Sequence, residues 1–205
     1  MGVQAAKLSR ATVATGLFLV LLCAVYVIHA RFLSVNVVFY AALADVVVAT
    51  GVCAVVLWTM RWFDVLGGFE KLQLLAIWLL TGYALAISVP TVIDRSLSFY
   101  ILEKLDQRGG RIRQDAFAHI IGVEFMREHR VVDVRLTEQL ESGTISIEGG
   151  CVTLTDKGRR IAGISRVFRN HLLPKQRLLM GEYSDDLTDP FRRSDEHSDY
   201  ACAPR

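Results

Sequence analysis

The chain has 205 residues, 52% of them hydrophobic, and a formal net charge of +2. Near-neutral charge excludes a protein that holds nucleic acid by bulk basicity, and the length leaves room for one or two domains. The apolar content falls almost entirely before Pro90 and most charged residues follow it. This excludes a single water-soluble core and predicts a membrane region followed by a cytosolic domain.

Three apolar segments come first in chain order: Thr12 to Ala30, Asn36 to Trp58 and Leu72 to Val89. Each matches the roughly 20 residues a helix needs to cross the hydrocarbon of a bilayer. Lys7 and Arg10 precede the first, but no small-x-small cleavage site closes it, so it reads as an uncleaved anchor. Trp58, Trp62, Phe63 and Tyr40 fall near the expected ends, where amphipathic rings favour the interface. Lys7, Arg10, Arg61 and Lys71 lie on one side, and Arg31, Arg95, Lys104, Arg108 and Arg111 on the other. The charge margin favours an outside N-terminus and a cytosolic C-terminus only weakly. The nature of the C-terminal domain is the stronger argument for that orientation, and the expected location is a bacterial inner (plasma) membrane.

Asp45, midway along the second segment, breaks the apolar pattern. Ionised, it would cost about 2.5–3.5 kcal/mol on insertion scales. Helical spacing places it on a stripe of small residues with Ala41, Ala49 and Cys53, a face that lets helices approach closely. Thr81 and Tyr83 of the third segment are expected at similar depth. The readings are a protonated Asp45 hydrogen-bonded to Thr81 or Tyr83 within the bundle, or an assembly site facing another membrane subunit. A proton relay is disfavoured, since three spans with one acid make a poor pathway.

After Pro90 helical periodicity predicts a helix with Leu97, Tyr100, Ile101, Leu102 and Leu105 inward, capped by Asp94 or Ser96 and ended by Gly109-Gly110. A short extended stretch, Arg111 to Arg113, leads to a second helix from Gln114 to Glu128 and a third from Val131 to Glu141. Thr144 to Ile147 and Cys151 to Leu154 read as strands around the turn Glu148-Gly149-Gly150. Thr155 or Asp156 opens a last helix that ends before Pro174.

The stretch VRLTEQLESGTISIEGGCVTLTDKGRRIA resembles the third helix and wing of bacterial winged-helix regulators of the MarR and PadR type. Leu136, Leu140, Gly143, Ile145, Leu154, Thr155 and Gly158 carry the resemblance, the last three as an L-T-x-x-G ending. The resemblance covers about Arg95 to Leu172. With the apolar segments, the expected fold class is mainly α: a three-helix transmembrane region (1–93), a cytosolic winged helix-turn-helix (α+β) domain (94–173) and a partly disordered tail (174–205). In that family the third helix enters the major groove of DNA. Here His129, Arg130 and Arg135 are offset by Glu128, Asp133, Glu138 and Glu141, and Glu148 sits at the wing tip. Carboxylates repel phosphates, so protein is the expected partner and DNA the alternative. Lys157, Arg159, Arg160, Arg166 and Arg169 cluster on the last helix, where they suit solvent or anionic lipid headgroups.

The tail is expected to make a short helix up to Met180. Its segment GEYSDDLTDPF then suits a docking peptide presenting Tyr183, Leu187 and Phe191, and its last dozen residues read as disordered. Asp185, Asp186 and Asp189 lack the scaffold of a cation site. Cys23, Cys53, Cys151 and Cys202 include no C-x-x-C, so neither a disulfide framework nor zinc is indicated, and a reducing compartment is expected for the soluble part. No phosphate loop, nucleophile elbow or H-E-x-x-H occurs, and His29, His119, His129, His171 and His197 are scattered. The expectation is therefore a non-enzymatic membrane protein without a cofactor. Its partners would be lipid and membrane and cytosolic proteins, in an envelope or polysaccharide assembly. The alternative is a membrane-tethered transcription regulator.

Overall fold

The computed structural model describes residues 2–193 and 202. The chain divides into two compact units, Met1–Val132 and Asp133–Arg205. Residues 94–173, expected as one domain, therefore contribute to both.

The first unit opens with three long helices: α1 (Val3–Phe32), α2 (Val38–Thr59) and α3 (Gly68–Ala86). All three are long and apolar enough to cross a membrane, the third when counted through to Arg95. Apolar side chains point outward as well as inward, with Val20 and Leu80 well exposed, as expected of helices that face lipid. Lipid tails give no hydrophobic reward for helix association, so close packing must hold the bundle together. Its core joins Phe18 and Leu22 of α1, Val46, Ala49 and Cys53 of α2, and Trp78 of α3. Phe18 and Trp78 stack with ring centroids 5.3 Å apart, and the Trp78 indole N–H donates to Thr15 Oγ1 at 3.1 Å. Gly82 of α3 lies against Val46, whose methyls a Cβ at that position would overlap.

Both ends of α3 are built by specific residues. Glu70 reaches back to accept the Gly67 N–H at 2.8 Å, satisfying one of the donors a helix start leaves open. Beyond Ala86 the helix continues as a π-helical turn, Ile87–Thr91, around Pro90. Pro90 has no N–H to give the Ala86 carbonyl. The Thr91 hydroxyl donates to that carbonyl instead, at 2.8 Å. At the opposite end of the bundle Lys7 pairs with Glu70 at 2.8 Å. Arg10 lies 3.6 Å from the Trp62 ring centroid, and buried Lys71 donates to the Leu57 carbonyl near the C-terminus of α2. A cation is favoured there by the helix dipole.

The same unit contains α4 (Leu97–Gln107) and α5 (residues 114–128). Ser96 caps α4 by accepting the Phe99 N–H. Gly109 and Gly110 (φ 75° and 80°) end it with the paired bonds Gly109 N–H to Asp106 and Gly110 N–H to Leu105, a Schellman arrangement. Arg111 to Arg113 is extended but forms no strand. A π-helical turn, Ile120–Phe125, interrupts α5.

The second unit begins inside α6 (Val131–Glu141) and continues with β1 (Ile145–Glu148), β2 (Cys151–Leu154) and α7 (Asp156–His171). β1 and β2 pair antiparallel with Glu148 opposite Cys151. Gly149 and Gly150 both have positive φ, the requirement of a tight two-residue hairpin turn. Pro174 is followed not by the expected short helix but by a second hairpin, β3 (Arg177–Leu179) and β4 (Glu182–Ser184). Its turn is Met180-Gly181, again with positive φ at both positions. The disorder expected for the last dozen residues, and His197, fall outside the described residues apart from Cys202.

Candidate interaction sites

Within the bundle, Asp45 is 3% exposed and its Oδ1 lies 2.6 Å from Nδ1 of His29. The partner expected at Thr81 or Tyr83 is thus supplied by α1, and both of those residues are exposed. The hairpin between α1 and α2 explains the pairing. His29 lies a turn before the connection and Asp45 about two turns after it, so antiparallel helices bring them to similar depth. Asp45 Oδ2 is buried without a hydrogen-bond partner among the described residues. The small-residue stripe does face inward, with Ala49 and Cys53 buried and Ala41 half-buried. Asp45 is thus buried inside the bundle against His29.

Between α4 and α5 lies a charge cluster. Lys104 Nζ is 2.7 Å from Glu124 and 2.8 Å from Glu128, and the Tyr100 hydroxyl donates to Glu128 at 2.8 Å. Tyr100, Phe125 and His129 form an aromatic group beside it. The Lys104 ammonium holds both carboxyls below the usual glutamate range, assisted at Glu128 by the Tyr100 hydroxyl. Glu124 first, then Glu128, raises Lys104 in turn. Desolvation, then the Glu128 carboxylate, raises the Tyr100 phenol. One lysine therefore fastens α4 to α5 through two acids.

The residues expected to contact DNA or a protein partner divide between the units. His129 and Arg130 belong to the first, and Arg130 adopts a left-handed backbone (φ 45°). Arg135, Glu148, Arg159 and Arg160 belong to the second. Arg135 pairs with Glu138 at 2.8 Å on α6, and Arg159 lies 3.9 Å from Asp156 on α7.

The L-T-x-x-G ending has a physical role in this unit. Thr155 Oγ1 donates to the carbonyls of Gly143 and Thr144 and accepts the Gly158 N–H, which joins the start of α7 to the start of β1. A Cβ at Gly158 would overlap the Thr144 carbonyl oxygen. Thr144 itself donates to the Gln139 carbonyl at 3.0 Å, closing the circuit back to α6. Helix, hairpin and helix are thus one hydrogen-bonded piece around Thr144.

In the tail, Tyr183 and Phe191 are 72% and 75% exposed, and Leu187 is also exposed. The Arg192 guanidinium donates to both Asp185 and Asp186. The expectation of unpaired cysteines is corrected by a disulfide between Cys151 of β2 and Cys202. Their sequence separation of 51 residues hides the pair from any spacing rule. Cys23 and Cys53 are free thiols. The chain matches no protein-family model, no curated protein and no solved structure.

Proposed function

We propose that this chain is a non-enzymatic, membrane-anchored interaction module. The hairpin of its second unit, read as the wing of a winged-helix domain, grips a protein partner in an envelope or polysaccharide assembly. The order of elements from α4 to α7 and the circuit around Thr155 and Gly158 support the winged-helix reading. The observation that carries protein over DNA is the charge on the would-be reading surface. Arg135 is already held by Glu138, Asp133 and Glu141 share α6 with it, and Glu148 occupies the wing tip. Affinity for DNA comes mainly from cations that neutralise phosphates, and this surface offers mostly anions.

The spans anchor the module, with the His29–Asp45 pair inside them. In the orientation we propose the N-terminus is outside and the C-terminal units are in the cytoplasm of a bacterial cell. The disulfide counts against that orientation, because such bonds persist in oxidising compartments. The redox state of Cys151 and Cys202 in cells therefore decides it. The function is tested by a photo-crosslinking residue at Glu148 of the full chain in native membranes, which captures protein under this reading and DNA under the tethered-regulator alternative.

A further inference from the structure

α7 carries an amphipathic face that nothing in its own unit covers. At about 100° per residue, Ile161, Ile164, Phe168 and Leu172 fall within an arc of about 80° along one side. All four are exposed, Ile164 by 69%. Gly158, which meets Thr144, lies on the flank of the stripe beside Arg169 and leaves these four side chains uncovered. Arg160 and Arg169 flank the stripe on either edge. Arg160, Arg166 and Arg169 form no ion pair among the described residues, and Asp156 is the helix's one acidic residue.

An apolar stripe bordered by arginines is the pattern of a helix that lies in a membrane interface. Its apolar side enters the headgroup–acyl boundary while its cations meet anionic headgroups. A second copy of α7 would be served by the apolar stripe but would set arginine against arginine, with Asp156 its one acid. DNA would be served by the arginines and would leave the isoleucines and Phe168 against water. An anionic phospholipid surface matches both halves, and the spans of the same chain keep a bilayer within reach. We infer that α7 is a lipid-binding helix that docks the second unit onto anionic phospholipid. The inference rests on the spans and on α7, and is independent of what the wing grips.

The test uses the full chain in nanodiscs of phosphatidylcholine alone or with phosphatidylglycerol, with a photo-crosslinking residue at Ile164 or, on the opposite side of α7, at Arg159. Phospholipid adducts are expected from position 164 and not from 159, increasing with the phosphatidylglycerol fraction. A basic side chain near an anionic surface contributes about fivefold in binding. Arg160→Glu plus Arg169→Glu should therefore lower the adduct yield by at least tenfold in the anionic discs and leave it unchanged in the zwitterionic ones. Equal labelling from both positions, no dependence on lipid charge, or adducts to a second copy of the chain or to added DNA overturns the inference.

Discussion

His29 and Asp45 form a close polar pair inside the spans, and each leans on the other. An imidazole and a carboxyl hydrogen-bonded to each other avoid part of the cost of putting either into hydrocarbon. Removing one partner leaves the other buried and unmatched, at a cost of about 1–3 kcal/mol. Hydrogen bonds between transmembrane helices average about 0.6 kcal/mol, with a maximum near 1.7. A double-mutant cycle with His29→Ala and Asp45→Ala, read by unfolding of the full chain in bicelles, should give a coupling within that range, with the double variant less destabilised than the two single losses added together. Strict additivity would mean that the pair contributes nothing. The anomaly at Asp45 was legible in the sequence because an acid in an apolar run is conspicuous. Its partner was not, because depth was matched to Thr81 and Tyr83 of the third segment and not to His29 near the end of the first. Counting residues from the connection in both directions finds it.

Among the elements, those with local signals follow the sequence closely. Ser96 capping α4, the Gly109-Gly110 ending, the limits of α6 and the Gly149-Gly150 turn all arise from short-range backbone chemistry. The β3–β4 hairpin escaped because its turn places Met180, rather than Asn, Asp or Gly, in the left-handed region. The π-helical turn of α5 has no such local mark. The contact between α4 and α5 depends on Lys104, and the sign of its pH dependence follows from the shifts. Glu124 and Glu128 are held below their ordinary values, so their contribution is complete above the unfolded value of about 4.3 and is lost as pH falls through the folded values. Lys104 is raised, so its contribution is complete below about 10.4 and is lost as pH rises through its folded value. Hydrogen exchange of residues 97–128, corrected for intrinsic rates, should therefore quicken as pH is lowered from 6 to about 3. Lys104→Met should reverse the trend near pH 5, because protonation then relieves repulsion between the two glutamates. An unchanged profile in Lys104→Met would remove the ion cluster as the fastening between these helices.

For the whole molecule, the split between apolar and charged halves gave the three spans directly, since bilayer thickness is a constraint that composition alone reveals. The disulfide was invisible because proximity across 51 residues is a tertiary property. It bears on which side of the membrane the second unit occupies. Thiol alkylation in intact cells, quenched before lysis, should find Cys151 and Cys202 reduced if the unit is cytoplasmic, with the bond forming only on exposure to oxidant. A bond already complete in cells places the unit on the oxidising side and reverses the proposed orientation. The central claim is that the wing holds protein, and crosslinking from Glu148 tests it most directly. With the full chain at native level in its own membrane, the account predicts a discrete protein adduct from position 148, unaffected by nuclease and absent when the crosslinker is placed in the lipid-facing stretch at Val20. A nuclease-sensitive adduct, or none at position 148, would contradict it.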